Sequence, residues 1–506
     1  MWKQSKGQNI YSRKEKMPNK VDLKPIYHLW IIGFIYILPL LITNSPYYDD
    51  IGRSVYGYFS WGIDGRPFSD IIFETIDLGS PATDIAPFPQ ILAILIMTTL
   101  CYFIHRYLNP DHSLGWLVFT PIFLSPFFIQ NLAFRFDSLT MSLSVAIAAL
   151  PLFFMRKTKA KLFAVSALCA FISLSLYQAS LSVFMAAVCL YTLFSIKKGS
   201  DPYNLLVEAS IAALGMVTGY IIYSQLIVPF FVTSDYANGY NQIISSVAEL
   251  YNNISVTINV LSSFFTGTIA IVFIVIGLLA TLGLIKLLII TSKSTLSNGR
   301  KAVSLLLIIA SLAVILVCIP GPGLALKSMP IGPRVFVGFG FFISTLLALI
   351  SFISTRHQCK LNVIYCLLAV VSFAYMATFT NAMKSQDKLA DRIVYGVTND
   401  IVKIGYNNIK TITIDGKSLY SPIADKAIQK SPLMKQIIPS YFDGPLAWGI
   451  VKMTEIYSGK EQPAPARQNE IIAGICEMQL ITDAGLYKTY FSNGDLVVSF
   501  AFRECK

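Results

Sequence analysis

The stretch "LWIIGFIYILPLLITNSPYYDDIGRSVYGYFSWGIDGRPFSD", residues 29–70, joins an uncharged apolar run to a segment that is dense in charged and aromatic side chains. The apolar run lies in a block, residues 27–43, that is long enough to cross the roughly 30 Å hydrocarbon core of a bilayer. Two adjacent carboxylates and two arginines follow it. The junction predicts a membrane-spanning helix that leads into a structured polar loop, residues 44–86.

The whole chain has the composition of a membrane protein. Of its 506 residues, 54% are hydrophobic and 13% are charged, whereas soluble domains carry about 25% charged residues. The two apolar blocks that flank "YQAS", residues 177–180, are compatible with two spans or with one re-entrant unit. Counted as two, they bring the apolar blocks to eleven: 27–43, 87–104, 114–130, 139–155, 162–177, 181–196, 204–231, 264–290, 303–319, 336–355 and 361–380. The sequence therefore predicts an all-α polytopic membrane protein of about eleven transmembrane helices.

The basic residues predict the orientation of the chain. The net charge is +12, and 19 Lys and Arg residues lie in the N-terminal tail and in every second connection. The alternate connections hold five: Arg53, Arg66, Arg135, Lys327 and Arg334. This asymmetry is the positive-inside pattern, so it argues for contact with membrane lipids and against a nucleic-acid partner. We expect a cytoplasmic tail, residues 1–26, a multi-pass bacterial inner-membrane domain, residues 27–380, and, because eleven is odd, a periplasmic C-terminal segment.

Residues 381–506 have the composition of a water-soluble domain, with 15 basic and 13 acidic side chains. "KLADRIVYGVTNDIVKIG" has helical periodicity, and "IKTITIDG" alternates like a strand. "YKTYFSNGDLVVSFAF" predicts a hairpin around Asn-Gly. These patterns predict a small periplasmic α/β domain. Its two cysteines, Cys476 and Cys505, would pair as a disulfide in an oxidising compartment; the alternative is two unpaired buried thiols.

The loop after the first span is rich in acidic side chains. Seven of the 15 Asp and Glu residues before position 381 lie in it: Asp49, Asp50, Asp64, Asp70, Glu74, Asp77 and Asp84. Apolar or aromatic residues at Ile51, Val55, Tyr58 and Phe59 are compatible with a short helix along the membrane surface. Asp49 and Asp50 would lie at its N-terminal end, where the helix dipole favours carboxylates. In one interpretation the pair only caps this helix. In the other it is catalytic, and Asp50 is then preferred as the base because Asp49 is the better cap.

Charged residues in other outer connections favour the catalytic interpretation. Arg135 and Asp137 stand at the mouth of the fourth span, and Lys327 and Arg334 lie in a Pro/Gly-rich loop before the tenth. Arg and Lys beside a membrane suit a phosphate, although they can equally snorkel to the interface. A carboxylate can accept the proton of an attacking hydroxyl, and cations can stabilise a departing phosphate. The pattern predicts a site that binds a phosphorylated lipid and activates a sugar hydroxyl.

The first loop also resembles a known family. "YYDDIGRSVYGYFSWGIDGRPFSDII", residues 47–72, and "LGSPATDIAPFPQILAI", residues 78–94, resemble the opening of the bacterial type II glucosyltransferases, which include phage-encoded enzymes that glucosylate O-antigen and convert serotype. "RFDS", residues 135–138, and "GPRV", residues 332–335, are also similar. The resemblance is strong over residues 44–95, and the C-terminal domain carries no motif of the family.

The resemblance implies a GT-C-like fold, a donor of undecaprenyl-phosphate-glucose at the periplasmic face and an acceptor of O-antigen polysaccharide or lipid-linked repeat units. It implies an inverting transfer with Asp50 or Asp49 as general base. In this resemblance Arg53 and Arg66 would support the site electrostatically. Arg135 and Asp137 would contact the donor or the acceptor. Lys327 and Arg334 would bind the lipid phosphate. No cofactor is expected, since one adjacent acid pair is too little for a divalent metal site.

Other functions fit the sequence less well. A glycolipid flippase or transporter would be expected to show internal repeats and polar helices at the bilayer midplane, whereas here the charge lies at one face. Another lipid-linked-sugar transferase, such as an O-antigen polymerase or a lipid-A glycosyl or acyl transferase, would share that face. A non-catalytic receptor that uses the C-terminal domain would leave the first-loop acids unexplained.

Overall fold

The computed structural model of the protein describes residues 23–110, 114–240, 242–330, 332–353, 358–443, 448–454 and 462–501. Within these residues, seven helices are long and apolar enough to cross a membrane, or eight if the bent pair Gly115–Leu124 and Pro126–Ala133 forms one span. Large apolar side chains on the outer faces of these helices are exposed, as in Ile271, Ile274 and Leu278, and they contact lipid. The prediction of a polytopic helical membrane protein is confirmed.

The α-helices of the membrane domain and its connections share one numbering in chain order. They are α1 (Lys24–Thr43), α2 (Asp49–Tyr56), α3 (Pro67–Ile76), α4 (Phe88–Leu108), α5 (Pro121–Leu124), α6 (Ile129–Ala133), α7 (Ser138–Ala149), α8 (Lys159–Leu174), α9 (Leu181–Lys197), α10 (Pro202–Leu226), α11 (Val228–Phe231), α12 (Asp235–Gly239), α13 (Val247–Phe264), α14 (Gly267–Ser292), α15 (Asn298–Val317), α16 (Gly338–Ser351) and α17 (Gln358–Ile404). Short 3₁₀ turns connect several of them: Gly62–Asp64, Gly115–Phe119, Pro126–Phe128, Leu150–Phe154, Gln178–Ser180, Gly321–Ala325 and Pro333–Val335.

All eleven predicted apolar blocks coincide with helical segments, but they differ in length. The segments at Ser138–Phe154, α8 and α16 have fewer than 18 residues, and the third block is the bent pair. Proline explains the bend, because Pro126 lacks the backbone N–H that a continuous helix would need. Hydropathy alone therefore finds the apolar segments but does not distinguish a full span from a shorter or broken one.

Small residues bring the membrane helices close together. A Cβ atom on Gly219 of α10 would lie 2.3 Å from the carbonyl oxygen of Ala167 in α8. One on Gly283 of α14 would lie 1.9 Å from the carbonyl oxygen of Leu349 in α16. The hydrophobic effect does little to drive the association of helices in a membrane, because lipid tails are as apolar as the side chains. Membrane helices therefore associate largely through the van der Waals contacts that close backbone approach allows. The glycines therefore hold the scaffold on which the loops of one end are arranged.

The C-terminal domain combines a four-stranded sheet with short helices. The sheet has the order β1-β4-β3-β2, with β1 parallel to β4 and the other neighbouring pairs antiparallel. The predicted hairpin is confirmed: β3 and β4 are joined at Asn493 and Gly494, whose φ angles of 51° and 93° are those of an Asn-Gly turn. The elements are β1 (Thr411–Asp415), α18 (Pro422–Lys430), α19 (Met434–Ile437), α20 (Trp448–Thr454), α21 (Pro465–Ala473), β2 (Gln479–Asp483), β3 (Lys488–Ser492) and β4 (Asp495–Ser499).

Helix α17 joins the two parts of the chain without a linker. It has 47 residues and a length of about 70 Å, so the expected domain boundary near residue 381 falls inside one continuous helix. Its last turns pack under the sheet, where the buried Asp400 carboxylate accepts 2.7 Å hydrogen bonds from the hydroxyls of Thr482 and Thr489. The C-terminal domain is thus held at a defined position relative to the last span.

The short helix predicted after the first span is α2, but it does not lie on a membrane surface. Ile51 has no exposed surface and belongs to the apolar core of the C-terminal domain. The neighbouring Gly52 lies close to Trp448 at the start of α20. The apolar residue Ile51 of α2 therefore packs against protein, which hydropathy could not distinguish from packing against lipid.

Two predictions concern residues outside the described ranges. The tail, apart from its last few residues, precedes residue 23, and Cys505 follows residue 501. Cys476 lies in the described part of the chain but Cys505 does not, so the pairing of these two cysteines stays a prediction.

The close approach of α14 and α16 predicts a position-dependent effect of adding one methyl group. Gly283→Ala should lower the thermal stability of the detergent-solubilised protein by several degrees, because overpacking costs about 1–3 kcal/mol. The matched control is Gly277→Ala on the same helix, where a Cβ meets nothing within 4 Å. It should leave the melting temperature unchanged or raise it, since Ala favours helix. Equal melting temperatures for the two variants would contradict this packing.

Candidate functional site

Four connections meet at one end of the membrane helices. The first loop, residues 44–86, contacts the segment before α7 through Asp50. It contacts the turn between α8 and α9 through Asp64, whose carbonyl accepts a 2.8 Å hydrogen bond from the Gln178 side chain. The same turn contacts the loop before α16, because the Tyr177 hydroxyl donates a 3.0 Å hydrogen bond to the carbonyl of Arg334. Most of the charged residues predicted from sequence are therefore brought together.

Asp50 is a buried anchor. Its side chain has no exposed surface. One carboxylate oxygen accepts hydrogen bonds from the backbone N–H of Tyr47 at 2.9 Å and of Arg135 at 3.0 Å, and the other accepts one from Phe136 at 3.4 Å. Burial raises the pKa of Asp50 to about 8, and the N–H groups of Arg135 and Tyr47 act against that rise. Its oxygens thus join the first loop to the segment before α7.

Asp49 is in a different position, although it is the neighbouring residue. Its side chain is partly exposed, and within the described ranges its carboxylate has no hydrogen bond or ion pair. The residue at the N-cap of α2 is Tyr48, and no side chain caps the helix, so the capping role expected of Asp49 is absent. Burial raises the pKa of Asp49 above the ordinary value, while the guanidinium of Arg334 and, more weakly, those of Arg53 and Arg66 act to lower it. Asp49 is therefore an available carboxylate in a field of positive charges.

Arg53 is placed inside the first loop. Its guanidinium donates hydrogen bonds to the carbonyls of Tyr58 and Phe59 and lies 3.7 Å from the ring centroid of Trp61. The Trp61 indole N–H donates a 2.8 Å hydrogen bond to Asp137. Both Arg53 and Asp137 are buried, and together they fix the fold of the loop around Trp61.

Arg135 holds the two ends of the first loop together. Its guanidinium pairs with the carboxylate of Asp84, near the end of the loop. The same group donates hydrogen bonds to the backbone and side-chain oxygens of Asn44, at the start of the loop. Only 8% of Arg135 is exposed. The loop is thus closed at its base by one side chain from a different connection.

Arg66 and Arg334 line a cavity of about 390 Å³. The Arg66 guanidinium lies 3.4 Å from the carboxylate of Asp64 and 3.5 Å from that of Asp137, while its buried Nε has no hydrogen-bond partner in the described structure. The guanidinium of Arg334 lies 5.0 Å from the ring centroid of Phe134. Two cationic groups therefore face the same space.

The cavity has a polar part and an apolar part. Asp64, Gln178 and the two arginines provide the polar part. The remaining walls carry tyrosines and aliphatic residues: Leu174, Tyr177, Leu181, Tyr220, Tyr223, Val228 and Tyr240. Tyr220 is 42% exposed on the outer face of α10, so this wall reaches the lipid-facing surface. The arrangement can accommodate a ligand that combines an anionic group, hydroxyls and an apolar chain.

Of the charged residues predicted for catalysis and binding, Arg66 and Arg334 line the cavity. Asp49, Asp50, Arg53, Arg135 and Asp137 lie in the surrounding loops and do not line it, and Lys327 points away from it. Its side chain is exposed and donates a 3.1 Å hydrogen bond to Gln242. The cause is a backbone pairing of the loop, in which Ile243 and Leu326 form an antiparallel bridge and the N–H of Lys327 donates to the carbonyl of Gln242. This pairing orients the preceding Leu326, rather than Lys327, towards the cavity.

Several lining residues have no role that local sequence patterns predict. Gln178 lies in the "YQAS" turn, and the one feature of the sequence that could indicate a role for it is the position of a polar amide between two apolar blocks. Asp64 was counted among the loop acids without a function. Its carboxylate accepts a 2.6 Å hydrogen bond from Ser234, a residue far along the chain that sequence reasoning could not connect to it. The described residues contain no group of three or more His, Cys, Asp or Glu side chains that could hold a metal.

Comparisons with known proteins indicate the family to which the chain is similar. The family model described as "Glucosyl transferase GtrII" matches residues 38–345, which is more than half of the chain. A protein of Salmonella phage P22, described as "Uncharacterized 55.3 kDa protein in gtrB 5'region", is 30% identical over 428 residues, covering 83% of this chain and 88% of the phage protein. No solved structure matches the chain. The family match includes the first loop, Arg135 and Arg334 but ends before the C-terminal domain.

The burial of Asp50 predicts a pH-dependent contribution to stability. Because the folded protein holds a proton at Asp50 more tightly than the unfolded chain does, this contribution is complete below the ordinary carboxyl pKa and is lost as the pH rises to about 8. The melting temperature of the wild-type protein should therefore fall between pH 5 and pH 8 by more than that of Asp50→Asn.

The same variant should be less stable at every pH. Its amide nitrogen cannot accept the N–H groups that the carboxylate accepts, and an unpaired buried donor costs about 1–3 kcal/mol. Parallel melting curves for the two proteins across this pH range would contradict the assignment of Asp50 as a buried titrating anchor.

Proposed function

The chain belongs to the glucosyl transferase GtrII family and is a glucosyltransferase of the membrane. From that premise we propose that it transfers glucose from undecaprenyl-phosphate-glucose to O-antigen repeat units at the periplasmic face of the bacterial inner membrane, with conversion of serotype as the outcome. The observation that carries the proposal is the available carboxylate of Asp49, which lies in the field of the two arginines that line the cavity.

The cavity supports a lipid-linked donor. Arg66 and Arg334 would hold the phosphate, since a guanidinium offers a planar set of donors that matches phosphate oxygens. The buried Nε of Arg66, which has no partner among the described residues, would gain one from such an oxygen. The tyrosine and aliphatic wall towards α10 would accommodate the first isoprene units, and Asp64 and Gln178 would bind glucose hydroxyls.

Asp49 would act as the general base. It would accept the proton of the acceptor hydroxyl while the hydroxyl oxygen attacks the anomeric carbon of glucose. The bond between that carbon and the phosphate oxygen then breaks, and the lipid phosphate leaves with the electron pair, stabilised by Arg66 and Arg334. An attack opposite the leaving group inverts the anomeric centre, so a β-linked donor gives an α-glucoside.

The geometry supports Asp49 as the base. The sequence alone favours Asp50. The oxygens of Asp50 accept three backbone hydrogen bonds and have no exposed surface, so an acceptor sugar could reach them only after the loop had opened. A base also works best when its pKa approaches the working pH. Partial burial shifts the pKa of Asp49 in that direction without closing access to it.

The periplasmic location rests on the distribution of charge. The cavity and the first loop lie at one end of the helices, and the basic clusters that follow the positive-inside rule lie in the alternate connections. The same orientation would place the C-terminal domain, which packs on α2, in the periplasm. Polymerised O-antigen and its lipid-linked repeat units would both be accessible from that side.

Replacing Asp49 tests the proposed base directly. Asp49→Asn should lower the rate of transfer from undecaprenyl-phosphate-[14C]glucose to lipid-linked O-antigen by at least 10²-fold, as is usual for loss of a general base. The protein reconstituted in vesicles is the preparation to use. The matched control is Glu74→Gln, an exposed carboxylate of the same loop, which should keep the wild-type rate.

Full activity of Asp49→Asn would show that another group takes the proton. Wild-type protein that moves the labelled lipid across the bilayer without forming a glycoside would instead show a flippase and would contradict the proposed reaction.

The pH dependence of transfer gives a second test of the same base. Asp49 must be ionised to accept a proton, so kcat/KM should fall as the pH drops below its pKa. Since burial raises that pKa, the acid limb should lie above the ordinary carboxyl value of about 3.9. Initial rates between pH 4 and pH 8 would define it, and a rate that stays constant down to pH 4 would contradict this role for Asp49.

A further inference from the structure

Three hydrogen bonds connect the C-terminal domain to the three residues that precede Asp49. The Tyr441 hydroxyl donates to the carbonyl of Pro46 at 3.1 Å. The Tyr47 hydroxyl donates to the carbonyl of Ile437 at 2.6 Å, and the hydroxyl of Tyr48 accepts the backbone N–H of Ser440 at 3.3 Å. A segment of the C-terminal domain thus pairs residue by residue with the chain that leads into the proposed base.

The residues that follow Asp49 are held by the same domain. Ile51 is completely buried in the C-terminal core. A Cβ atom on Gly52 would lie 3.3 Å from the side chain of Trp448, so helix α20 approaches α2 closely at this point. Asp49 is therefore bracketed on both sides by contacts to the C-terminal domain.

The backbone at this point needs such support. Tyr48 has φ 47° and ψ −105°, a region that residues with a side chain rarely adopt. Conformations of this kind persist only when the surrounding structure determines them. The hydrogen bonds of Tyr47, Tyr48 and Tyr441 supply that determination, and the resulting turn directs Asp50 into the protein and leaves Asp49 partly exposed.

Tyr441 is itself held by contacts that lead to helix α17. The buried ammonium of Lys452 lies 5.3 Å from its ring centroid. The same ammonium pairs with Asp387 at 2.5 Å and with Asp391 at 2.9 Å. Both carboxylates belong to α17, the helix that continues from the last span. Contacts thus run from α17 through Lys452 and Tyr441 to the turn before Asp49.

We propose that Tyr441 is a positioning residue for glucosyl transfer, which holds Pro46 and thereby directs the Asp49 carboxylate towards the acceptor hydroxyl. The role rests on the proposed function of Asp49 as base. It also gives the C-terminal domain, which lies outside the family match at residues 38–345, a part in the reaction. Tyr441 contacts Pro46 in the turn before Asp49, so its effect on transfer is exerted through the position of Asp49.

The experiment compares two hydroxyl deletions in the full-length protein in vesicles. Tyr441→Phe removes the hydrogen bond to Pro46 and keeps the ring. The matched control is Tyr375→Phe, which removes a buried hydroxyl that also joins α17 to the C-terminal domain, through Ser431 at 3.1 Å, but does not touch the turn before Asp49. Steady-state transfer, its pH profile and amide hydrogen exchange of residues 47–56 are measured for both.

For Tyr441→Phe we expect kcat to fall about five- to tenfold, the effect of one hydrogen bond, with KM for the donor within about twofold of wild type. The acid limb of kcat should move to lower pH, because a loosened turn exposes Asp49 to water. The amides of Asp50 and Ile51 should exchange at least about fivefold faster. Tyr375→Phe should match wild type in all of these measurements.

The outcomes separate this proposal from the function on which it rests. Wild-type kcat, acid limb and amide exchange in Tyr441→Phe would overturn the positioning role while leaving the transferase intact. Equal losses in both variants would also overturn it, since they would reflect general destabilisation. Absence of transfer by the wild-type protein would overturn the proposed function, and amide exchange would still decide whether Tyr441 holds the turn.

Discussion

The carboxylate of Asp50 lies in the interior of the protein, where a charge or an unpaired polar oxygen is costly. Its oxygens are satisfied only where the backbone N–H groups of Tyr47, Arg135 and Phe136 come to the same point. This requirement fixes the first loop against the segment before α7. Arg135 adds a second constraint from that segment, because its guanidinium binds Asn44 and Asp84 and so closes the loop at its base.

The remaining features of the site depend on this closure. Once Asp50 points inwards, its neighbour on α2 must point elsewhere, since successive residues of a helix are rotated by about 100°. Asp49 is left partly exposed, and Arg66, on the same loop, reaches the cavity that Arg334 lines from the other side. The C-terminal domain covers the opposite face of α2. One buried acid thereby places an available acid, two guanidiniums and a second domain around a common site.

The sequence predicted those features that depend on local pattern. Hydropathy identified the apolar segments, and the Asn-Gly signal identified the hairpin of β3 and β4. The density of acids predicted a functional role for the first loop, and that role stays a prediction. What it could not predict depends on contacts between distant segments. Adjacent carboxylates look alike in a sequence, so the different environments of Asp49 and Asp50 became visible only when the partners of Asp50, at residues 135 and 136, were brought to it. The position of Lys327 away from the cavity has the same cause, a backbone pairing with residues 242 and 243.

The central claim is that one acid of the pair is an anchor and the other meets the substrate. Carbodiimide modification of carboxyl groups in the native protein, followed by peptide mass mapping, tests it most directly, because it reports access to each side chain separately. Asp49 should be modified in the free protein and protected by undecaprenyl phosphate, while Asp50 should stay unmodified in both states. Modification of Asp50 as fast as Asp49, or failure of the lipid phosphate to protect Asp49, would contradict it.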